Sequence, residues 1–245
     1  MELIIFIVGL FLCALSVGVL VYFKMNKNGF RNVVAKIVAS ACFVIFAVLL
    51  SAVKTGIAYY GSYAVSFIII GLVCGLVGDI LLEFKGFYPF HDKKFFDSGF
   101  ITFMIGHICY IFSLVLFAGT NIEIWSFNFL LPFVLILFGS AIVTVLSWLI
   151  MQKYFKFNFN GNSLIINIYS FILISAAVLG FYLSFAISSI VLYILTIGLI
   201  LYVLSYFALL NFYYSPNEKT NSLVVTYTLC YYIAQIIVAG FIYFV

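Results

Sequence analysis

Residues 63–84 have the sequence YAVSFIIIGLVCGLVGDILLEF. Only Asp79 and Glu83 carry a charge in this stretch, and both lie close to its end. A helix needs roughly 20 apolar residues to cross the hydrocarbon core of a bilayer. The stretch is therefore predicted to be a transmembrane helix that places two acidic side chains near one end.

The whole chain has the same character. Its 245 residues include 11 Lys and Arg and 7 Asp and Glu, so 7% are charged, against roughly 25% in typical soluble proteins. Hydrophobic residues make up 67% of the chain, and the mean hydropathy is +1.32. Because so few charges cannot cover a water-facing surface of this size, a soluble fold is excluded. The net charge of +4 does not indicate nucleic acid, since the cations are sparse and lie in short connections.

The apolar runs predict an all-α, polytopic integral membrane protein, a bundle of about eight transmembrane helices. Charges and turn residues divide the chain into runs at about 3–23, 33–53, 63–84, 98–118, 127–151, 163–184, 190–213 and 223–244. These runs are continuously apolar and too long for the strands of a β-barrel. The first run has no basic leader and is followed by Lys24, so we expect it to be retained as a helix. No linker or composition break divides residues 1–245, which predicts one eight-helix domain.

The basic residues predict the orientation of the bundle. Ten of the 11 Lys and Arg lie in or beside the odd-numbered connections, and Lys54 alone lies on the even side. Cytoplasmic connections of membrane proteins carry an excess of cations. We therefore expect the odd connections in the cytoplasm and both termini on the non-cytoplasmic side, with a bacterial cell membrane as the simplest location.

The five cysteines indicate neither a disulfide framework nor a metal site. They all lie inside apolar runs, without C-x-x-C pairs or neighbouring histidines: Cys13, Cys42, Cys74, Cys109 and Cys230. Cysteines of this kind behave as small buried hydrophobic residues. We expect no metal and no cofactor.

Polar side chains inside the spans are candidates for function, because they are costly in hydrocarbon. Asp79 lies about one and a half turns from the end of the third span, and Glu83 follows on the same helix face. Gly75 and Gly78 belong to a stripe of small residues that lets another helix or a ligand come close. We predict that the two carboxyl groups share one cavity. The structural alternative is that Glu83 pairs with Lys85 or another loop lysine at the interface.

His107 is the second candidate, in the fourth span. Phe103, His107 and Tyr110 lie on one helix face, at i, i+4 and i+7. His107 is expected roughly 15 Å inside the span, deeper than Asp79, so contact between the two requires tilt, a water molecule or the substrate. The alternative is a neutral core histidine that hydrogen-bonds a neighbouring helix. Metal binding is not indicated, because the other histidine, His91, lies in a loop.

The last two spans add further polar groups. Tyr231 and Gln235 lie on one face of the eighth span, and Ser205 and Tyr206 lie in the seventh. Hydrogen bonds between helices explain any one of these residues. Together with the acidic and imidazole groups, they predict a polar pocket that opens to the cytoplasmic leaflet and contains no basic group.

These residues resemble the YhhN-like membrane proteins, a family that includes lysoplasmalogenases. The resemblance covers nearly the whole chain, and its motifs are Gly78-Asp79-Ile-Leu-Leu, Phe103 with His107-x-x-Tyr110, and Tyr231-Tyr-x-Ala-Gln235. The seventh span departs from the family pattern. Ser205 matches it, but Tyr206 stands where the family has an aspartate.

The resemblance implies an activity, which is hydrolysis of the vinyl ether bond of a lysoplasmalogen to a fatty aldehyde and a glycerophospho head group. The reaction needs an acid that protonates the β-carbon, and a group that orients water and stabilises the cation. A carboxylic acid in a dry site can act as the acid, so Asp79 is assigned the acid or electrostatic role. His107 is assigned the role of water-orienting base. Because Tyr206 replaces the aspartate, Glu83 or His107 has to supply the missing function.

The other candidates are expected to bind substrate. They are Gly75, Gly78, Phe103, Tyr110, Ser205, Tyr206, Tyr231 and Gln235. The predicted partners are the lipid bilayer and a lysophospholipid or another single-chain lipid. No nucleic acid and no protein partner are indicated.

Three other functions stay open at this stage. One is a non-catalytic lipid-binding or lipid-transport protein that has lost part of the catalytic set at Tyr206. Another is hydrolysis of an ester lysophospholipid. The third is proton-coupled transport, because a lone acid in a membrane span is typical of proton relays.

Overall fold

Eight long α-helices form the structure, a computed structural model that describes residues 1–26, 29–54, 59–84, 89–120, 122–124, 126–159, 161–216 and 219–245. These ranges contain no strands. The helices are α1 (Glu2–Met25), α2 (Gly29–Val53), α3 (Tyr59–Phe84), α4 (Asp92–Ala118), α5 (Phe127–Lys153), α6 (Ser163–Ile187), α7 (Ile190–Tyr214) and α8 (Asn221–Gly240). Short 3-10 helices lie at Pro89–His91 and Phe241–Tyr243.

Helix length and composition both fit a membrane. The shortest helix, α8, has 20 residues, and α4 and α5 have 27 each. At about 1.5 Å per residue these lengths are roughly 30 to 40 Å, against a hydrocarbon core of about 30 Å. All eight helices are long and apolar enough to cross a bilayer. The predicted all-α, polytopic membrane fold is therefore confirmed.

The largest difference from the predicted spans is at α4, which begins at Asp92 rather than near residue 98. Asp92 lies in the first turn of this helix. An acidic side chain there is stabilised by the helix dipole. The polar residues before the apolar run therefore extend the helix instead of ending it.

Glycines determine how closely α3 and α4 pack. A Cβ at Gly106 would lie 3.0 Å from the backbone oxygen of Gly71, so the two helix backbones nearly touch. A Cβ at Gly78 would lie 2.9 Å from the ring of Phe103. The small-residue stripe on α3 therefore receives side chains and backbone of α4. This contact holds the segment around Asp79 against the fourth helix.

The odd-numbered connections gather at one end of the bundle, because consecutive helices run in opposite directions. Lys24 at the end of α1 hydrogen-bonds Thr228 near the start of α8. At the opposite end, Lys54 after α2 hydrogen-bonds the backbone carbonyl of Tyr243. We call the first end the lysine-rich end, because in the sequence ten of the 11 Lys and Arg lie in or beside the odd-numbered connections. That this end faces the cytoplasm stays a prediction.

Candidate functional site

A cavity at the lysine-rich end brings many of the candidate residues together. Its volume is about 60 Å³, which is room for a few water molecules. The aromatic part of its lining comprises Phe100, Phe103, Tyr169, Tyr202, Tyr206, Tyr227 and Tyr231. The charged and polar part comprises Lys24, Lys36, Asp79, Ser205, Thr228 and Tyr232.

Asp79 is the centre of the hydrogen bonds in this cavity. Its exposure is only 3%. Ser40 Oγ donates to Asp79 Oδ2 at 2.6 Å, and the Tyr231 hydroxyl donates to the same oxygen at 2.9 Å. The Tyr232 hydroxyl lies 3.5 Å from Oδ2 and 3.0 Å from Ser40 Oγ. These bonds hold the carboxyl group in one orientation, with Oδ2 turned to the hydroxyl groups.

Lys36 binds the other carboxyl oxygen. Its Nζ lies 3.4 Å from Asp79 Oδ1 and 3.1 Å from Glu83 Oε1. Asn32 Nδ2 also donates to Glu83, at 3.5 Å from Oε2. The prediction of a pocket without a basic group is therefore wrong.

The position of Lys36 along α2 explains this difference. The residue lies about two turns inside the helix, and it is buried. Its side chain reaches α3 rather than the water beyond the helix end. The other proposed partner of Glu83, Lys85, lies outside the residues that the structure describes.

A chain of hydrogen bonds leads from the cavity to the interior. Gln235 Nε2 donates to the Tyr231 hydroxyl at 2.7 Å, and the Tyr110 hydroxyl donates to Gln235 Oε1 at 3.4 Å. Gly75 makes room for this chain, since a Cβ there would lie 2.6 Å from Gln235 Nε2. None of Gly75, Tyr110 and Gln235 lines the cavity itself. Through Gln235 they position the hydroxyl group of Tyr231, a residue that does line the cavity.

His107 is buried apart from the cavity. Its Nδ1 donates to the backbone carbonyl of Phe103 at 2.9 Å, one turn back on α4. Its ring packs edge-on against Tyr169 and Tyr202, with centroids at 5.5 and 4.8 Å. Its Nε2 is buried and has no hydrogen-bond partner among the described residues. The structure does not bring His107 to Asp79, and its role as a base stays a prediction.

The two candidates of α7 line the cavity, but their hydroxyl groups bond elsewhere. Ser205 Oγ donates to the backbone oxygen of Tyr227 at 2.8 Å. The Tyr206 hydroxyl donates to the backbone oxygen of Ile166 at 3.0 Å and lies 3.0 Å from Ser170 Oγ. The Tyr206 hydroxyl therefore links α7 to α6 by hydrogen bonds.

Comparison with known proteins places the chain in a family. The sequence pattern of the YhhN family matches residues 31–241. The chain belongs to the YhhN family. The matched range of this YhhN protein includes Lys36, Asp79 and Gln235, and it leaves out Lys24. No curated protein and no solved structure matches the chain significantly.

The acidic and sulfur-containing groups of the YhhN protein are dispersed where the structure describes them. In those ranges, no three His, Cys, Asp or Glu side chains are close enough together to hold a metal ion. The five cysteines have free thiols. The cavity therefore offers carboxyl, ammonium and hydroxyl groups to a ligand.

Several residues of the YhhN site were not predicted, among them Lys24, Lys36 and Ser40. A signal for two of them was present, because Lys36 and Ser40 are four residues apart inside the apolar run 33–53. A lysine within such a run is as costly as an aspartate, and it indicates a buried partner. Lys24 gave no such signal, since it stands at the end of its run.

Proposed function

We propose that this protein is a membrane-embedded hydrolase that cleaves the vinyl ether bond of lysoplasmalogens. Membership of the YhhN family supports a lysoplasmalogenase-like membrane protein. The observation that carries the proposal is Asp79, a buried carboxyl group held by Ser40 and Tyr231 in a cavity with room for water. Hydrolysis of a vinyl ether needs an acid and a water molecule at the same place.

The contacts of Lys36 support Asp79 as the acid. One ammonium group contacts two carboxyl groups, and the shorter distance is to Glu83, at 3.1 Å against 3.4 Å. In the proposed reaction Lys36 is the counter-charge of Glu83, and Asp79 holds the proton that starts the reaction. Both hydroxyl donors are bonded to Oδ2 of Asp79, so in the proposed reaction the proton is released from Oδ1, the oxygen that Lys36 contacts at 3.4 Å.

Asp79 donates or accepts the proton in each step of the proposed reaction. It donates its proton to the β-carbon, where the electron pair of the double bond forms the new C–H bond, and positive charge remains on the α-carbon and the ether oxygen. A water molecule attacks the α-carbon and gives a proton to Asp79. The bond from the α-carbon to the glycerol oxygen then breaks, while that oxygen takes a proton from Asp79 and the hemiacetal hydroxyl returns one. One vinyl ether and one water thus give one aldehyde and one alcohol, and Asp79 is protonated again.

The surroundings of Asp79 suit the cationic intermediate. After the first step the Asp79 carboxylate is a negative charge beside the positive α-carbon, already oriented by Ser40 and Tyr231. Phe103 and Tyr202 also line the cavity, and aromatic rings attract a cation. The aromatic lining limits the water in the site to a few molecules.

Product analysis tests the proposal. The purified protein is incubated in D₂O with a 1-alkenyl lysophospholipid, and with an ester lysophospholipid in parallel. We expect a fatty aldehyde that carries one deuterium on the carbon next to the carbonyl group, because the proton on the β-carbon comes from the solvent through Asp79. Unlabelled aldehyde incubated with the protein corrects for exchange. Fatty acid from the ester without aldehyde from the vinyl ether would contradict the proposal and indicate an ester hydrolase.

A non-catalytic lipid-binding or lipid-transport protein is the second candidate, and Tyr206 favours it. The family resemblance implies an aspartate at this position, whereas the Tyr206 hydroxyl is bonded to the backbone of Ile166. This function predicts lysolipid binding that Asp79→Asn does not change, with no aldehyde formed. Aldehyde release by the wild-type protein, measured beside lysolipid binding, separates the two candidates.

We also propose that the cavity faces the cytoplasm. Without Lys24 and Lys36, which line the cavity, eight Lys and Arg still belong to the lysine-rich end, against Lys54 alone at the other. Single cysteines at Lys156 and Glu123 test this in intact cells with a membrane-impermeant maleimide. We expect labelling at position 123 and none at position 156, and the reverse pattern would contradict the orientation.

A further inference from the structure

Lys24 is the second cation of the cavity, and no carboxylate of the described residues is paired with it. Its Nζ donates to Thr228 Oγ1 at 3.1 Å and lies 4.8 Å from the centre of the Tyr227 ring. An ammonium group has three N–H donors. One hydrogen bond to Thr228 therefore leaves Lys24 with donors for a ligand.

The direction of the Lys24 side chain is unusual for the end of a span. Such a lysine normally extends its ammonium group outwards, to the head groups and water. The ammonium group of Lys24 instead contacts Thr228, which is 1% exposed and lies about two turns inside α8. A cation held inwards is costly unless an anion compensates it. Among the described residues no carboxylate forms an ion pair with Lys24, and Asp79 and Glu83 are both bound by Lys36.

We propose that Lys24 binds the phosphate of a lysophospholipid head group at the entrance of the cavity. The protein then selects single-chain lipids that carry a phosphate over their neutral glycerol counterparts. The choice of a lipid as the ligand rests on the proposed function.

The positions of the two charged residues fit a lysophospholipid. Lys24 and Asp79 line the same cavity. In the ligand, one glycerol unit lies between the phosphate and the ether oxygen. A phosphate on Lys24 therefore places the ether bond in the cavity of Asp79.

The charges of the cavity also balance once a phosphate is bound. Lys24 then has the phosphate as its counter-ion, and Lys36 has Glu83 at 3.1 Å. Each of the two cations then has an anion other than Asp79. A lysoplasmalogen thus brings both the vinyl ether bond and the phosphate that pairs with Lys24. Asp79 is then the proton donor.

Binding of lipids that cannot be hydrolysed tests the subsite. The full-length protein is held in maltoside micelles, whose head groups carry no phosphate, and its affinity is measured for a 1-O-alkyl lysophospholipid and for the 1-O-alkyl glycerol of the same chain. We expect the wild type to bind the phosphorylated lipid at least ten times more tightly. Lys24→Met should lose this preference through weaker binding of the phosphorylated lipid alone, and Lys24→Arg should keep it. Lys219→Met, which removes an exposed lysine at the same end, should also keep it.

Unchanged affinity for the neutral lipid shows that Lys24→Met is folded. The same preference in the wild type and in Lys24→Met, or no preference in the wild type, would overturn the subsite. Inorganic phosphate is a third ligand, and we expect it to bind weakly. If phosphate alone bound as tightly as the lysophospholipid and depended on Lys24, the site would be one for a free anion, and the lipid proposal would fall. Since no bond is broken, the result does not depend on whether the protein releases aldehyde.

Discussion

Asp79 and His107 are both buried polar groups on neighbouring helices, but their surroundings differ. The Asp79 carboxyl group is bonded by Lys36, Ser40 and Tyr231 in a cavity that has room for water. His107 is enclosed by tyrosine rings, bonds a backbone carbonyl, and borders a void without room for a water molecule. A reaction that consumes water needs surroundings of the first kind. Burial of a polar group is therefore a weaker sign of catalysis than access to water and charge.

Removal of Lys36 should have the largest effect on stability and aldehyde release, because Lys36 contacts Asp79. Lys36→Met leaves the buried Asp79 and the partly exposed Glu83 without their cation, and loss of one partner of a buried ion pair costs about 3 kcal/mol or more. We expect a clear fall in the melting temperature in maltoside micelles and no detectable aldehyde release. The double variant Lys36→Met with Glu83→Gln removes the excess negative charge and should recover most of the melting temperature. A single variant as stable as the wild type would show that the ion pair is not needed.

Removal of the Ser40 hydroxyl should have the next largest effect. This group donates to Asp79 Oδ2 at 2.6 Å. A hydrogen bond to an ionised group contributes about 1.5 kcal/mol or more, so Ser40→Ala should lower the rate of aldehyde release by about tenfold. Ser170→Ala is the matched control, because Ser170 is a buried serine that bonds Tyr206 and not Asp79. Equal rates in both variants would remove Ser40 from the site.

Gly75→Ala tests the hydrogen bond by which Gln235 holds the Tyr231 hydroxyl of the Asp79 cavity. A Cβ at this position would lie 2.6 Å from Gln235 Nε2, and Gln235 holds the hydroxyl of Tyr231. Overpacking of this kind costs about 1 to 3 kcal/mol, so we expect a lower melting temperature and aldehyde release reduced by a few times. Gly139→Ala, where no atom lies within 4 Å of the new Cβ, should behave like the wild type. If both variants match the wild type in melting temperature and aldehyde release, the position of Gln235 matters for neither.

His107→Phe should have the smallest effect. Phenylalanine keeps an aromatic ring between Tyr169 and Tyr202 and loses one hydrogen bond, to the backbone of Phe103. We expect the free energy of unfolding to fall by about 1 kcal/mol and aldehyde release to stay near the wild-type rate. A loss of about a hundredfold in a stable variant is typical of a missing acid or base, and it would return His107 to the site.

The membrane fold could be predicted because its signal is repeated in eight apolar runs and needs no knowledge of tertiary contacts. Asp79 could be predicted as a site residue for a related reason, since a carboxyl group in such a run is costly wherever its neighbours lie. Lys36 was assigned to orientation instead, because lysines near the ends of spans normally have that role. Its contacts with α3 show that it belongs to the site.

The difference between Asp79 and His107 could not be predicted from the sequence. Sequence gives the depth of each residue along its helix, but not the side chains that surround it. Tyr169 and Tyr202, which enclose His107, come from α6 and α7, whereas Ser40, which bonds Asp79, comes from α2. The packing of distant helices decides which polar residue meets water.

The most direct measurement is the rate of aldehyde release by Asp79→Asn. Asparagine keeps the shape of the side chain and an oxygen that accepts from Ser40 and Tyr231, but it has no carboxyl proton to transfer. We expect a rate lower by about a hundredfold or more, with the melting temperature and lysolipid affinity close to those of the wild type. Glu123→Gln, an exposed acid at the opposite end, should release aldehyde at the wild-type rate. Equal rates of aldehyde release from Asp79→Asn and the wild type would contradict the assignment of Asp79 as the proton donor.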